Sequence, residues 1–111
     1  MEPTRDALKA RLLRIAREDF PAAARAGKYP IRLDHCLLRV VYDHLFGAQW
    51  QTVLNRKQPA IHQLSVAQLQ RAIEIAEAVT ADRETCVVLN RESLAYRGKL
   101  RSDETAIEDG V

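Results

Sequence analysis

The sequence predicts an all-α fold, a single compact bundle of about five helices followed by an acidic C-terminal tail, and three observations carry that expectation. Ala, Leu, Arg, Glu and Gln are abundant, whereas aromatic residues make up only 5% of the chain and strand formers are sparse. Apolar residues recur at spacings of three and four rather than two. Three of the four glycines fall where such helical patterns stop. A chain of 111 residues makes one domain and buries roughly 65% of the surface that its unfolded form exposes, so it needs no metal or disulfide to fold.

The elements follow in order. Thr4 is an N-cap, and Leu8, Leu12, Ile15 and Ala16 share one face, which predicts a helix over 4–26. Pro21 either kinks this rod or opens a second short helix in its first turn, and Gly27 is placed to end it as a left-handed cap. Lys28-Tyr29-Pro30 connects to a second helix over 32–46, closed by Gly47. A third, short helical piece is expected over 48–54, then a loop at NRKQ and a single turn from Pro59 to Gln63. Ser65 and Gln68 form a capping box, in which each side chain satisfies a backbone N–H at the other position. The fourth helix therefore starts here, with Val66, Leu69, Ala72, Ile73, Ala76 and Val79 as its core stripe. The fifth runs over 82–97, with Val87, Val88, Leu89 and Leu94 as its apolar residues and Gly98 as its stop. Residues 1–101 form the bundle domain and 102–111 a disordered acidic tail.

The formal charge of +2 hides an asymmetry. The tail SDETAIEDGV holds four acids and no base, so the other 101 residues carry 17 bases against 11 acids. A basic body attracts nucleic acid, anionic surfaces or acidic proteins through a long-range, salt-sensitive field. No run of about 18 apolar residues occurs, and MEPTRDALKARL lacks the apolar centre of a signal peptide, so a cytoplasmic chain without membrane contact is expected. Cys36 and Cys86 fit that compartment as free thiols.

Several chemistries lack their signatures. Neither CxxC nor HExxH occurs, which argues against a zinc site among the three histidines and two cysteines. Cys86 sits beside Val87 and Val88 on an apolar face, where a thiol stays protonated and inert, and Cys36 borders the core. The glycines are isolated, so no glycine-rich loop cradles a phosphate, and no cofactor is expected.

The segment RLDHCLLRVVYDHL, residues 32–45, repeats Asp-His at Asp34-His35 and Asp43-His44. Nine positions at about 100° each amount to about two and a half turns, so His35 and His44 point to opposite sides of the helix. His44 lies mid-stripe among aliphatic residues and is expected as a buried, neutral, hydrogen-bonded imidazole. Arg32, His35, Arg39 and Tyr42 form the polar flank, with Asp43 placed to exchange a weak ion pair with Arg39. Arg pairs bidentately with phosphate or carboxylate while His and Tyr add hydrogen bonds, so this flank is the candidate partner-binding surface. Arg91, Arg97, Lys99 and Arg101 at the end of the last helix are placed to converge on the same anion. Arg11, Arg14 and Arg17 make a second basic ridge, and the single tryptophan, Trp50, reads as a core or edge anchor.

YPIRLDHCLLR, FGAQW, LSVAQLQRAIEIAEAV and LNRESLAYRGK, which together span residues 29–99, resemble a set of short bacterial helical proteins, some of them labelled acetyltransferases. That resemblance implies a unit found in bacteria and, as an alternative function, a coenzyme A-dependent N-acetyltransferase; it implies no site residues. The residues themselves point to a non-catalytic binding module for an acidic partner, nucleic acid or protein. Arg32, His35, Arg39, Tyr42, Arg97 and Lys99 would carry that binding, and spare apolar faces leave room for a homodimer.

Overall fold

The computed structural model describes residues 3–98. The 102–111 tail and Lys99 lie outside the described residues. Four long helices make up the fold, and no strand occurs among the described residues. The first, α1, is a continuous rod over residues 5–27, assembled from α-helix Arg5–Arg14, a π turn Ile15–Asp19 and α-helix Phe20–Gly27. The others are α2 (Asp34–Phe46), α3 (Val66–Ala81) and α4 (Arg83–Tyr96). The expected helix over 48–54 is instead one 3-10 turn, Trp50–Thr52, so the count is four rather than five. This stretch has no side-chain cap, and its residues remain in contact with solvent, so nothing extends the turn. The turn expected after Pro59 forms as Ala60–Gln63.

Local signals account for most helix ends. Thr4 accepts a hydrogen bond from the Ala7 amide at 3.0 Å, which caps α1. At α3 the capping box is complete: Gln68 N donates to Ser65 Oγ at 3.1 Å and Ser65 N donates to Gln68 Oε1 at 2.8 Å. Asp82 caps α4 through Thr85, and Gly47 closes α2 with φ 64°.

Of the two expected roles of Pro21, the structure has the second: it opens a short helical segment in its first turn without ending the rod. It lies in the first turn of Phe20–Gly27, directly after the π turn, where the Phe20 amide reaches back five residues to the Ile15 carbonyl. The wider turn absorbs the ring and the missing N–H of proline within one rod. Gly27 is not the left-handed cap; Lys28 takes that conformation, with φ 55°. Gly27 is required for closeness, because a Cβ there would stand 2.5 Å from Tyr29 Cε1. The Tyr29 ring cannot step aside: it is buried, packs edge-on to Phe20 at 6.0 Å, and donates its hydroxyl to the Thr80 carbonyl at 2.8 Å.

α3 is the central helix and packs against the other three. It therefore buries Ile75 in addition to Leu69, Ala72, Ile73, Ala76 and Val79. Leu8, Leu12, Ile15, Ala16 and Phe20 face it from α1, and Leu37, Val40 and Val41 from α2. α4 differs from the expected pattern. Val88 is exposed, whereas Cys86 and Ser93 are fully buried and Leu89 packs against the core, so the inward stripe advances through 86, 89 and 93. None of the helices is long and apolar enough to cross a membrane.

The Gly27–Tyr29 contact generates a stability prediction. Gly27→Ala, which in an ordinary helix would stabilise, is expected to cost about 1–3 kcal/mol by overpacking. Thermal denaturation followed by circular dichroism should show a melting temperature several degrees lower; an unchanged or higher value would mean that Tyr29 yields freely.

Candidate functional site

α2 supplies the centre of the site. His35, Arg39 and Tyr42 follow one another at spacings of four and three, so they form a ridge along one face. The sequence offers this face as an open partner-binding surface. The chain after α2 covers its Tyr42 end, while His35 stays exposed: Trp50, Gln51 and Pro59 to His62 line, with the ridge, a cleft of about 590 Å³. Tyr42 is consequently only 5% exposed, with its ring edge-on to Trp50 at 6.0 Å.

The cleft carries charge on an apolar base. Arg17, Arg39 and Arg97 bring guanidinium groups to it, and His35 and His62 bring imidazoles. Leu13, Leu38 and Ile61 supply apolar wall between them. Four of the six expected binding residues thus meet here: His35, Arg39, Tyr42 and Arg97. Arg32 does not; it lines an adjoining recess of about 440 Å³ with Pro21, Arg25 and Leu33, and Arg17 borders both spaces. Lys99 and Arg101 are outside the described residues, and Arg91 is exposed.

Asp43 is the group that the sequence placed wrongly. It does not pair with Arg39 on the surface; it is fully buried and bonded to Arg97. Its Oδ2 accepts from Arg97 Nε at 2.8 Å and from Ser93 Oγ at 2.7 Å, and its Oδ1 accepts from Arg97 Nη2 at 3.1 Å and from the Trp50 amide at 3.0 Å. Arg97 Nη2 also reaches Gln51 Oε1 at 3.1 Å. The forked, charge-assisted pair uses one carboxylate to bind α2, the Trp50 turn and the end of α4 together.

Arg39 makes no direct ion pair among the described residues. Its Nη2 donates to Asn90 Oδ1, a neutral acceptor. The half-buried guanidinium is shifted below the ordinary arginine value, chiefly by desolvation; Cys36 and Asp43 oppose the shift and the positive charge of Arg97 adds to it. Arg17, on the basic ridge of α1, is exposed and 3.9 Å from Asp34 Oδ2. Its neighbours on that ridge are engaged elsewhere, Arg11 with Glu77 of α3 and Arg14 with Glu18.

His44 stands outside the cleft. Its Nδ1 meets the Val40 carbonyl and its Nε2 meets Glu92 Oε1, both at 2.9 Å, while Tyr96 packs edge-on at 5.6 Å. It lies at the rim of the core, with 13% of its side chain exposed, rather than fully buried. Among the described residues, no three of His, Cys, Asp and Glu converge to hold a metal ion.

Trp50, Arg17, His62 and the apolar wall were not read as parts of one site. The signals were Gly47, which turns the chain back toward α2, and Pro59, which starts the turn bearing His62; both mark a reversal without revealing which face the chain revisits.

The buried pair predicts a large, asymmetric response. Arg97→Leu leaves the Asp43 carboxylate buried beside its other donors without its cation, and is expected to cost about 3–5 kcal/mol. Adding Asp43→Asn to that variant should recover part of the loss in urea denaturation; no recovery would mean that Arg97 acts through packing alone. The thiols predict a second asymmetry. Burial pushes Cys86 up to about 11, whereas Cys36 is partly exposed in the cleft. A disulfide exchange reagent at mildly alkaline pH should titrate Cys36 in the native protein and Cys86 only on unfolding; equal rates would contradict the buried position of Cys86. Compared with known proteins, the chain matches no family model, no curated protein and no solved structure, and what the site can do follows from its own geometry.

Proposed function

We propose that the chain is a small non-catalytic binding module that holds an acidic segment of a partner protein in the cleft between α2 and the turns at Trp50 and Ile61. The observation that carries this reading is Arg39. A guanidinium drawn out of water, next to a second cation and in direct contact with a neutral amide rather than a carboxylate, gains from an anion supplied from outside even though Asp43 acts on it from farther away.

The apolar wall favours protein over nucleic acid as the partner. Leu13, Leu38 and Ile61 offer contact area to aliphatic or aromatic side chains beside the acids, whereas a phosphate backbone would gain nothing from them. Arg17, Arg25 and Arg32 outnumber the one acid, Asp34, in the adjoining recess and extend the positive field along one side, so that a bound segment could continue beyond the cleft.

The test is a titration of a fluorescein-labelled peptide that alternates glutamate with leucine, run beside duplex and single-stranded DNA at low salt, with acetyl coenzyme A added separately. Peptide binding should weaken steadily with added salt, and Arg39→Gln should weaken it by about tenfold, the scale expected for losing a charge-assisted contact. DNA binding tighter than the peptide at equal salt would transfer the reading to nucleic acid. A rise in melting temperature with acetyl coenzyme A, in the absence of peptide binding, would favour the enzyme that the resemblance implies.

A further inference from the structure

The Tyr42 hydroxyl is the most unusual polar group of the cleft. The residue is 95% buried by its 5% exposure, yet its Oη makes no hydrogen bond among the described residues. The oxygen is not sealed in the core, because the single buried side-chain polar atom without a partner among the described residues is Thr80 Oγ1. The hydroxyl therefore retains some access to solvent, and Tyr42 is part of the cleft wall. Trp50 fixes its ring from one side, at an interplanar angle of 75°.

Arg39 lies one turn earlier on the same helix face, three residues away, so the two side chains start from one ridge and both line the cleft. Asn90 holds one nitrogen of Arg39 and sets its position, while the other N–H groups have no acceptor among the described residues. Both groups are donors. Burial moves the Tyr42 phenol upward from its ordinary value, so it offers a proton rather than a negative charge at neutral pH. Apolar side chains stand beside this pair of donors: Leu38 on the same helix, Leu13 on α1 and Ile61 on the facing turn.

We infer that Tyr42 Oη and the Arg39 guanidinium form a carboxylate subsite, which takes a small organic acid whose aromatic or branched apolar group rests on Leu13, Leu38 and Ile61. One carboxylate oxygen accepts from the phenol and the other from the guanidinium, while the apolar end occupies space of the size that small ligands fill. The inference rests on the proposed reading of the cleft as an anion site, but it does not require the anion to belong to a protein.

The experiment uses the full-length protein, with the intrinsic fluorescence of Trp50, the only tryptophan, as reporter and calorimetry as a second readout. The probes are hydrocinnamate, hydrocinnamyl alcohol and inorganic phosphate. Hydrocinnamate should give a saturable change, with the alcohol and phosphate each weaker by about tenfold or more, since the alcohol lacks the charge and phosphate lacks the apolar end. Tyr42→Phe removes an oxygen that bonds to nothing else described here, so it should keep the melting temperature and lose about tenfold in hydrocinnamate affinity. Arg39→Gln provides a second variant should the first fail to fold, and it should weaken the acid while leaving the alcohol unchanged. Equal binding of acid and alcohol, undiminished binding by both variants, or no binding up to about 10 mM, the weak end of specific affinity, would overturn the subsite. The two readings fail separately: a peptide that binds where hydrocinnamate does not removes the subsite alone, and the reverse result removes the protein partner alone.

Discussion

A carboxylate with no exposure to water would destabilise the fold by several kcal/mol if it stood alone. Asp43 is such a group, and its two oxygens receive four donors from three residues on two separate stretches of chain. Ser93 and Arg97 are one turn apart on α4, so their joint approach fixes both the rotation and the register of that helix against α2. The Trp50 amide adds the turn that follows α2. The arrangement converts a costly charge into a specification, since no displaced packing of α4 or of the turn would still satisfy all four donors.

The same carboxylate shapes the cleft. It holds Arg97 at one edge and the backbone of Trp50 at another, and these two residues frame Tyr42 and Arg39. It also divides the cations into two kinds. Arg97 is neutralised internally and serves as a strut that contributes a wall, whereas Arg39 is positioned by an amide and makes no direct ion pair among the described residues. Positive charge in the cleft is therefore more local than the excess of basic residues in the body of the chain would imply, since Arg11 and Arg14 spend theirs on neighbouring acids.

The helical wheel of α2 grouped His35, Arg39 and Tyr42 correctly on one face, as an open binding surface, but could not show that its Tyr42 end is covered. Its fate depended on the chain returning over it, first with Trp50 and Gln51 and then with Pro59 to His62. A polar or amphipathic stripe on a helix looks the same whether water or a later turn covers it. Tyr42, with a large ring and one polar atom, suits either setting. The apolar stripe of α4 was misjudged for a related reason: Val88 is more hydrophobic than Ser93, yet Ser93 points inward because a buried acid on another helix requires its hydroxyl.

What the sequence determined by itself was local in range. The all-helical class, the Thr4 cap, the capping box of Ser65 and Gln68, and the glycine end of α2 all rest on contacts spanning a few residues, whose partners can be read within one window of the chain. Tertiary structure alone decided what spans fifty residues or more: that Asp43 meets Arg97, that Arg39 meets Asn90, and that Gly27 must be small because Tyr29 is held against Thr80. Electrostatics and close packing act through space, and their outcome for a given side chain depends on how completely the rest of the chain excludes water around it.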